Sequence, residues 1–142
     1  MKIGIANDRH GIEVKGKIKN YLDKENIEYI DYGCGEDEVV DYVDYAVKLC
    51  DGINKNECNL GILICGTGIG MCIVANKIKG IICGKVTTQE EATLTREHNH
   101  ANVIAVGENI ENIENIIEAF LNTEPSLEER HVRRVNKINN LI

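Results

Sequence analysis

The sequence predicts an α/β domain, a parallel sheet covered by helices, and two observations predict it. Five short strand-like runs alternate with longer helix-like stretches from one end of the chain to the other, the order expected when each helix crosses back over a sheet. At 142 residues the chain is long enough for one buried core and too short for two, and no linker rich in Pro, Gly or Ser divides it. Residues 1–142 therefore read as a single domain. Hydrophobic residues at 43% and charged residues at 27% are the proportions of a globular chain, which excludes disorder.

The elements follow in order. "KIGIA" is the first strand. A helix starts at about Ile12, with Val14, Ile18, Tyr21 and Leu22 at helical spacing and Gly16 weakening it by about 1 kcal/mol relative to Ala. "EYIDY" is the second strand, followed by a helix after Asp41; "LGILIC" is the third, followed by a helix after Gly68; "GIICGKV" is the fourth, followed by a helix after Thr88. "NVIAV" is the fifth. Beyond it, "ENIENIENII" repeats locally, but Ile110, Ile113, Ile116, Ile117, Phe120 and Leu121 make one apolar stripe, the mark of an amphipathic helix. The last helix has its own start signal in "PSLEE", with Ser126 as N-cap and Glu129 closing a capping box.

Several function classes drop out. No apolar run reaches the roughly 18 residues of a membrane span, and "MKIGIANDRHG" has too short an apolar core for a signal peptide, so a cytoplasmic protein without membrane contact is expected. The six cysteines form no C-x-x-C pair, which argues against a disulfide framework and a zinc site. A net charge of −7 argues against nucleic acid as a partner. Yet "RHVRRVNK" gathers Arg130, His131, Arg133, Arg134 and Lys137, a local anion site in an acidic chain.

The chemistry centres on "GILICGTGIGMC". Ligands of open parallel sheets bind beyond the carboxyl ends of strands, and Cys65 stands at such an end. Gly66, Gly68 and Gly70 let the backbone turn tightly and offer bare N–H groups, which together with the following helix dipole stabilise an anion and favour thiolate at Cys65. A dinucleotide site fits poorly, because Met71 stands where the last glycine of G-x-G-x-x-G belongs and the loop follows the third strand. A cysteine phosphatase needs an arginine at that same place. What remains is proton abstraction beside a carbonyl, with the thiolate as base, the loop amides on the enediolate oxygen and Thr67 moving protons, a reaction with no call for a metal or cofactor. A loop threonine also commonly bonds its own backbone. In "TREHNHANV", His98 closes a helix, where the dipole favours the protonated imidazole of a general acid. The first loop, "ANDRHG", brings Asp8, Arg9 and His10 to the carboxyl edge; Asp8 serves equally as a helix N-cap.

Taken together, "GILICGTGIGMCIVANKIKG", "TREHNHANVIAVG", "VDYVDYA" and "RHVRRVNKI" resemble the ribose-5-phosphate isomerase B family, which also holds galactose-6-phosphate and allose-6-phosphate isomerases. The resemblance runs from the first strand to the last helix. It implies a Rossmann-like five-stranded parallel sheet, a homodimer or homotetramer with active sites between subunits and the last helix reaching a partner, and cofactor-free interconversion of aldose and ketose phosphates. It implies further that Cys65 moves the proton between C1 and C2 while Gly66, Thr67, Gly68, Ile69 and Gly70 cradle the enediolate. His98 would open the sugar ring, Asp8, Asn99 and Tyr42 would hold hydroxyls, and Arg130 and Arg134 would bind the phosphate. Ribose 5-phosphate to ribulose 5-phosphate is the expected reaction, with a six-carbon sugar phosphate, or a binding module without catalysis, as alternatives.

The chain departs from that family at four places. Arg9 replaces a phosphate-contacting histidine and has His10 as its neighbour, Asn109 and Ile82 stand where arginines are usual, and Val43 stands where proline is usual. Either Arg9 restores the cation that Asn109 lacks, or the pocket suits another sugar phosphate.

Overall fold

The computed structural model describes residues 1–36 and 38–142. Five parallel strands, β1 (Lys2–Asn7), β2 (Glu28–Asp31), β3 (Leu60–Cys65), β4 (Cys83–Lys85) and β5 (Val103–Gly107), form one sheet in the order β2-β1-β3-β5-β4. Among the described residues six helices flank them: α1 (Ile12–Lys24), α2 (Tyr42–Asn54), α3 (Ile69–Asn76), α4 (Gln89–Asn99), α5 (Ile113–Asn122) and α6 (Glu129–Asn139). The five-stranded parallel sheet and its helical cover are those the sequence predicts. No helix among the described residues is long and apolar enough to cross a membrane.

Side-chain alternation along the strands divides the core into two layers. Ile62 and Ile64 of β3 join Ile3, Ile5, Ile104 and Val106 against Ile18 and Leu22 of α1 and Ile116, Ile117 and Phe120 of α5. Leu63 and Cys65 face the other way, with Ala6 and Ala105 against Leu49 and Cys50 of α2 and Met71 and Ala75 of α3. A central strand buried on both faces must be apolar throughout, which is why "LGILIC" shows no polar alternation. Five of the six cysteines are buried and Cys72 is half-buried; all are free thiols.

Two expectations are corrected. β4 keeps just three residues of "GIICGKV": the Ile82 carbonyl still accepts the Val103 N–H at 3.2 Å, but its own N–H turns to the Asn102 side chain at 2.9 Å. The capping box at Ser126 does not form. α6 begins at Glu129 after Glu128, with no side-chain cap. The Ser126 hydroxyl instead accepts from the Glu128 amide at 3.1 Å and bonds His131 Nδ1 at 2.8 Å, while its own N–H donates to the Glu97 carbonyl at 2.9 Å. Docking onto α4 has outcompeted capping. Thr88 does cap α4, accepting from the Glu91 amide at 3.1 Å, and the stripe of α5 is buried as expected except Ile110, which precedes the helix and is half-buried against the same core.

Sheet order fixes where a ligand can sit. After β1 the chain crosses one face through α1, and after β3 it crosses the other through α3, so the loops beyond these adjacent strands diverge. Such a switch point opens a crevice at the carboxyl edge.

Candidate active site

Beyond β1, buried Asp8 accepts a hydrogen bond from the His10 amide at 2.9 Å and caps a short turn over Arg9–Gly11; its own N–H donates to the Ile64 carbonyl at 3.1 Å, tying β1 to β3. The turn leaves Arg9 exposed at the edge. His10 reaches across to the end of β5, its Nδ1 3.0 Å from Glu108 Oε2.

Cys65 ends β3 buried, and its sulfur accepts the Gly68 N–H at 3.2 Å. Gly68 needs φ +83°, and a Cβ there would stand 2.9 Å from the Val106 carbonyl carbon. At Gly70 a Cβ would stand 2.6 Å from the Tyr42 ring, so the missing side chain is what lets Tyr42 lie on the loop. Thr67 Oγ1 accepts the Ile69 amide at 3.1 Å, the local backbone bond of a loop threonine. Ile69 is exposed beside it. A recess of about 500 Å³ opens along the loop, lined by Gly66, Thr67, Ile69, Lys85, Thr87 and Asn109 among others. Its size is that of a small-ligand site.

The remaining candidates stand elsewhere. His98 and Asn99 end α4, just before β5 begins, and α6 docks beside them. The His98 ring stacks on that of His131, centroids 4.4 Å apart. Burial pushes the His131 pKa down, and His98, Arg130 and Arg134 push it the same way against Glu128. Arg130 lies 3.1 Å from Glu128 Oε2, with Arg134 one turn further along α6, exposed like it.

This second group is at the amino edge of the sheet, and the length of β3, six residues, separates it from Cys65 by roughly 16 Å at about 3.3 Å per residue. The fold thus brings together Asp8, Arg9, Tyr42, Cys65, Gly66, Thr67, Gly68, Ile69 and Gly70 at one edge, and His98, Asn99, Arg130 and Arg134 at the other. One edge offers a sulfur, amides and a phenol; the other offers imidazole, amide and guanidinium groups. The pairing of His10 with Glu108 was missed, since Glu108 sits inside the repetitive "ENIENIENII"; the signal for it was its place directly after β5. Among the described residues no group of three or more His, Cys, Asp or Glu stands close enough to hold a metal ion.

The family model described as Ribose/Galactose Isomerase matches residues 3–138. A putative sugar phosphate isomerase of Bacillus subtilis, YwlF, is 43% identical over 142 residues, covering 97% of this chain and 95% of that one. Ribose-5-phosphate isomerase B of Clostridium thermocellum superposes with a TM-score of 0.93 at 40% identity, over 99% of this chain and 97% of that one. Ribose-5-phosphate isomerase B of Mycoplasma genitalium, determined with bound ribulose-5-phosphate, superposes with a TM-score of 0.90 at 35% identity, over 98% and 94%. Fold, glycine loop and these likenesses define the class, a sugar-phosphate isomerase. The chain belongs to the Ribose/Galactose Isomerase family.

Proposed function

We propose that this protein interconverts an aldose phosphate and its ketose phosphate through an enediolate, with ribose 5-phosphate and ribulose 5-phosphate as the substrate pair. The observation that carries the reading is the Gly68 N–H aimed at the Cys65 sulfur from inside a loop of bare amides, where a thiolate and an enediolate oxygen both find donors. The Mycoplasma genitalium relative, with ribulose-5-phosphate bound, supports the choice of sugar.

The open-chain aldose places C1 and C2 over the loop. Cys65 takes the proton from C2, the C–H pair forms the C1–C2 double bond, and the carbonyl pair moves to O1, held by the amides from Gly66 to Gly70. Return of the proton to C1 and transfer of the O2 proton to O1 give the ketose. Thr67 offers its hydroxyl to these oxygens. Asp8 and Tyr42 hold sugar hydroxyls, and Arg9 faces the phosphate.

His98, which opens the ring, Asn99, which holds a hydroxyl, and Arg130 and Arg134, which bind the phosphate, come from a second copy of the chain, because roughly 16 Å of sheet separates them from Cys65 within one copy. A two-fold dimer supplies both halves twice. The test is incubation with ribose 5-phosphate in deuterated water: an isomerase carries deuterium into C1 or C2, and a non-catalytic binder does not. A panel of pentose and hexose phosphates ranked by kcat/KM then fixes the sugar. The recess running past Gly107 to Lys85 favours a six-carbon phosphate as the second reading, because it leaves room beyond the loop.

A further inference from the structure

We infer that His10, oriented by Glu108, is a further catalytic residue of this site and carries a proton between the two oxygens of the enediolate. The inference rests on the reading of the glycine loop given above and adds to it a group that can both give and take a proton.

Of the four histidines, His10 alone stands at the edge where Cys65 ends its strand; His98, His100 and His131 gather around Ser126 at the other edge. The His10 ring lies beside the first glycine of the loop: a Cβ built on Gly66 would have His10 Cγ and Cδ2 as its nearest neighbours, at 4.0 Å. That glycine leaves the space between ring and loop open. Glu108 holds the ring by its Oε2, 3.0 Å from Nδ1, and donates its own backbone N–H to the Gly66 carbonyl at 3.2 Å. The residue that carries the carboxylate is thus tied to the loop. From the other side, Asp8 accepts the His10 amide at 2.9 Å, and Arg9 is the adjacent cation.

A carboxylate on Nδ1 fixes the hydrogen there and leaves Nε2 for the substrate, the arrangement in which a third group orients an acid–base histidine. Thr67 can pass a proton on but cannot hold one as an ion, whereas an imidazole can. In the forward step Cys65 removes the C2 proton, the carbonyl pair moves to O1, and O1 takes the proton from Nε2. In the second step Nε2 takes the O2 proton, that O–H pair forms the C2 carbonyl, and the pair of the C1–C2 double bond takes the proton back from Cys65 onto C1. Thiolate and imidazolium are both regenerated. The His10 side chain is 48% exposed, so substrate can reach it and its replacement should leave the fold intact.

The experiment compares wild type, His10→Gln and Glu108→Gln, with thermal melts to confirm folding. His10→Gln should lower kcat by about 100-fold, the ordinary share of a general acid–base group. KM should stay within about threefold, since ground-state binding is kept. Added imidazole should recover part of the lost rate, which a merely structural role would not allow. Glu108→Gln should cost about tenfold in kcat, as loss of an orienting carboxylate does. Unchanged kcat in His10→Gln, or a loss that imidazole does not rescue, overturns this inference while leaving an active, Cys65-dependent isomerase in place. A wild-type chain inactive on every sugar phosphate overturns both.

Discussion

The amide of Gly68 donates to the sulfur of Cys65 across 3.2 Å, and the residue that aims it cannot carry a side chain. At φ +83° any other residue is strained, and a Cβ would press on the Val106 backbone at 2.9 Å. Gly68→Ala should therefore destabilise the protein by at least about 1–2 kcal/mol, a fall in Tm of about 4 °C or more, and remove turnover with it. Gly66→Ala meets nothing closer than 4.0 Å and should leave the Tm within about 1 °C. Thermal melts of the two variants side by side check this, and equal losses would contradict the strain described at Gly68.

Replacement of Cys65 by Ala removes the proposed base and keeps the loop. The side chain is small and sits at the end of a strand paired on both sides, by β1 and β5, so the chain should still fold. Isomerisation should fall by about 10³-fold or more, in the upper range of acid–base effects. Deuterium uptake into the sugar should stop with it. Near-normal uptake would assign the base elsewhere.

The two edges of the sheet give a sharper test of the shared site. Cys65→Ala disables one half and Arg134→Ala the other, so each variant alone should be nearly inactive. When the two are mixed and allowed to exchange subunits, half of the resulting two-fold dimers are mixed, and each of these has one intact site in two. Activity should return to about a quarter of wild type. A mixture as inactive as its components would place Arg134 outside the site that Cys65 serves.

How much of this was legible beforehand follows from range. The period of each segment is local, so five strands, the helices between them and the glycine turn after Cys65 could all be read from short windows. Sheet order is not local: nothing in "NVIAV" says that β5 lies between β3 and β4, whereas the edge taken by His98 was open to reading, since a helix leading into a parallel strand ends at the amino end of that strand. Ser126 shows the same limit. Its neighbours spell a capping box, but its partners are Glu97 and His131, brought close by docking of α6 on α4. His10 and Glu108 meet across β1, β3 and β5, a contact no window contains.

The stacked pair of His98 and His131 makes the docking of α6 sensitive to acid. Burial lowers the His131 pKa from the ordinary value near 6.5, and the nearby His98, Arg130 and Arg134 lower it further, with Glu128 opposing. The sign follows by linkage. Between the lowered value and 6.5 the unfolded chain binds this proton and the folded chain does not, so stability is complete above about pH 6.5 and declines as the pH falls through that window. The lowered carboxyl groups, Asp31, Glu38 and Glu91, act only below their own ordinary values and so do not overlap it. Denaturation of wild type at pH 7.5, 6.5 and 5.5 should show a decline that His131→Asn reduces, with amide exchange in α6 accelerating first, because Ser126 and His131 hold that helix to α4. Since α6 carries Arg130 and Arg134, KM for a sugar phosphate should rise over the same interval. A slope identical in wild type and His131→Asn would free His131 from the effect and leave the docking of α6 indifferent to its charge.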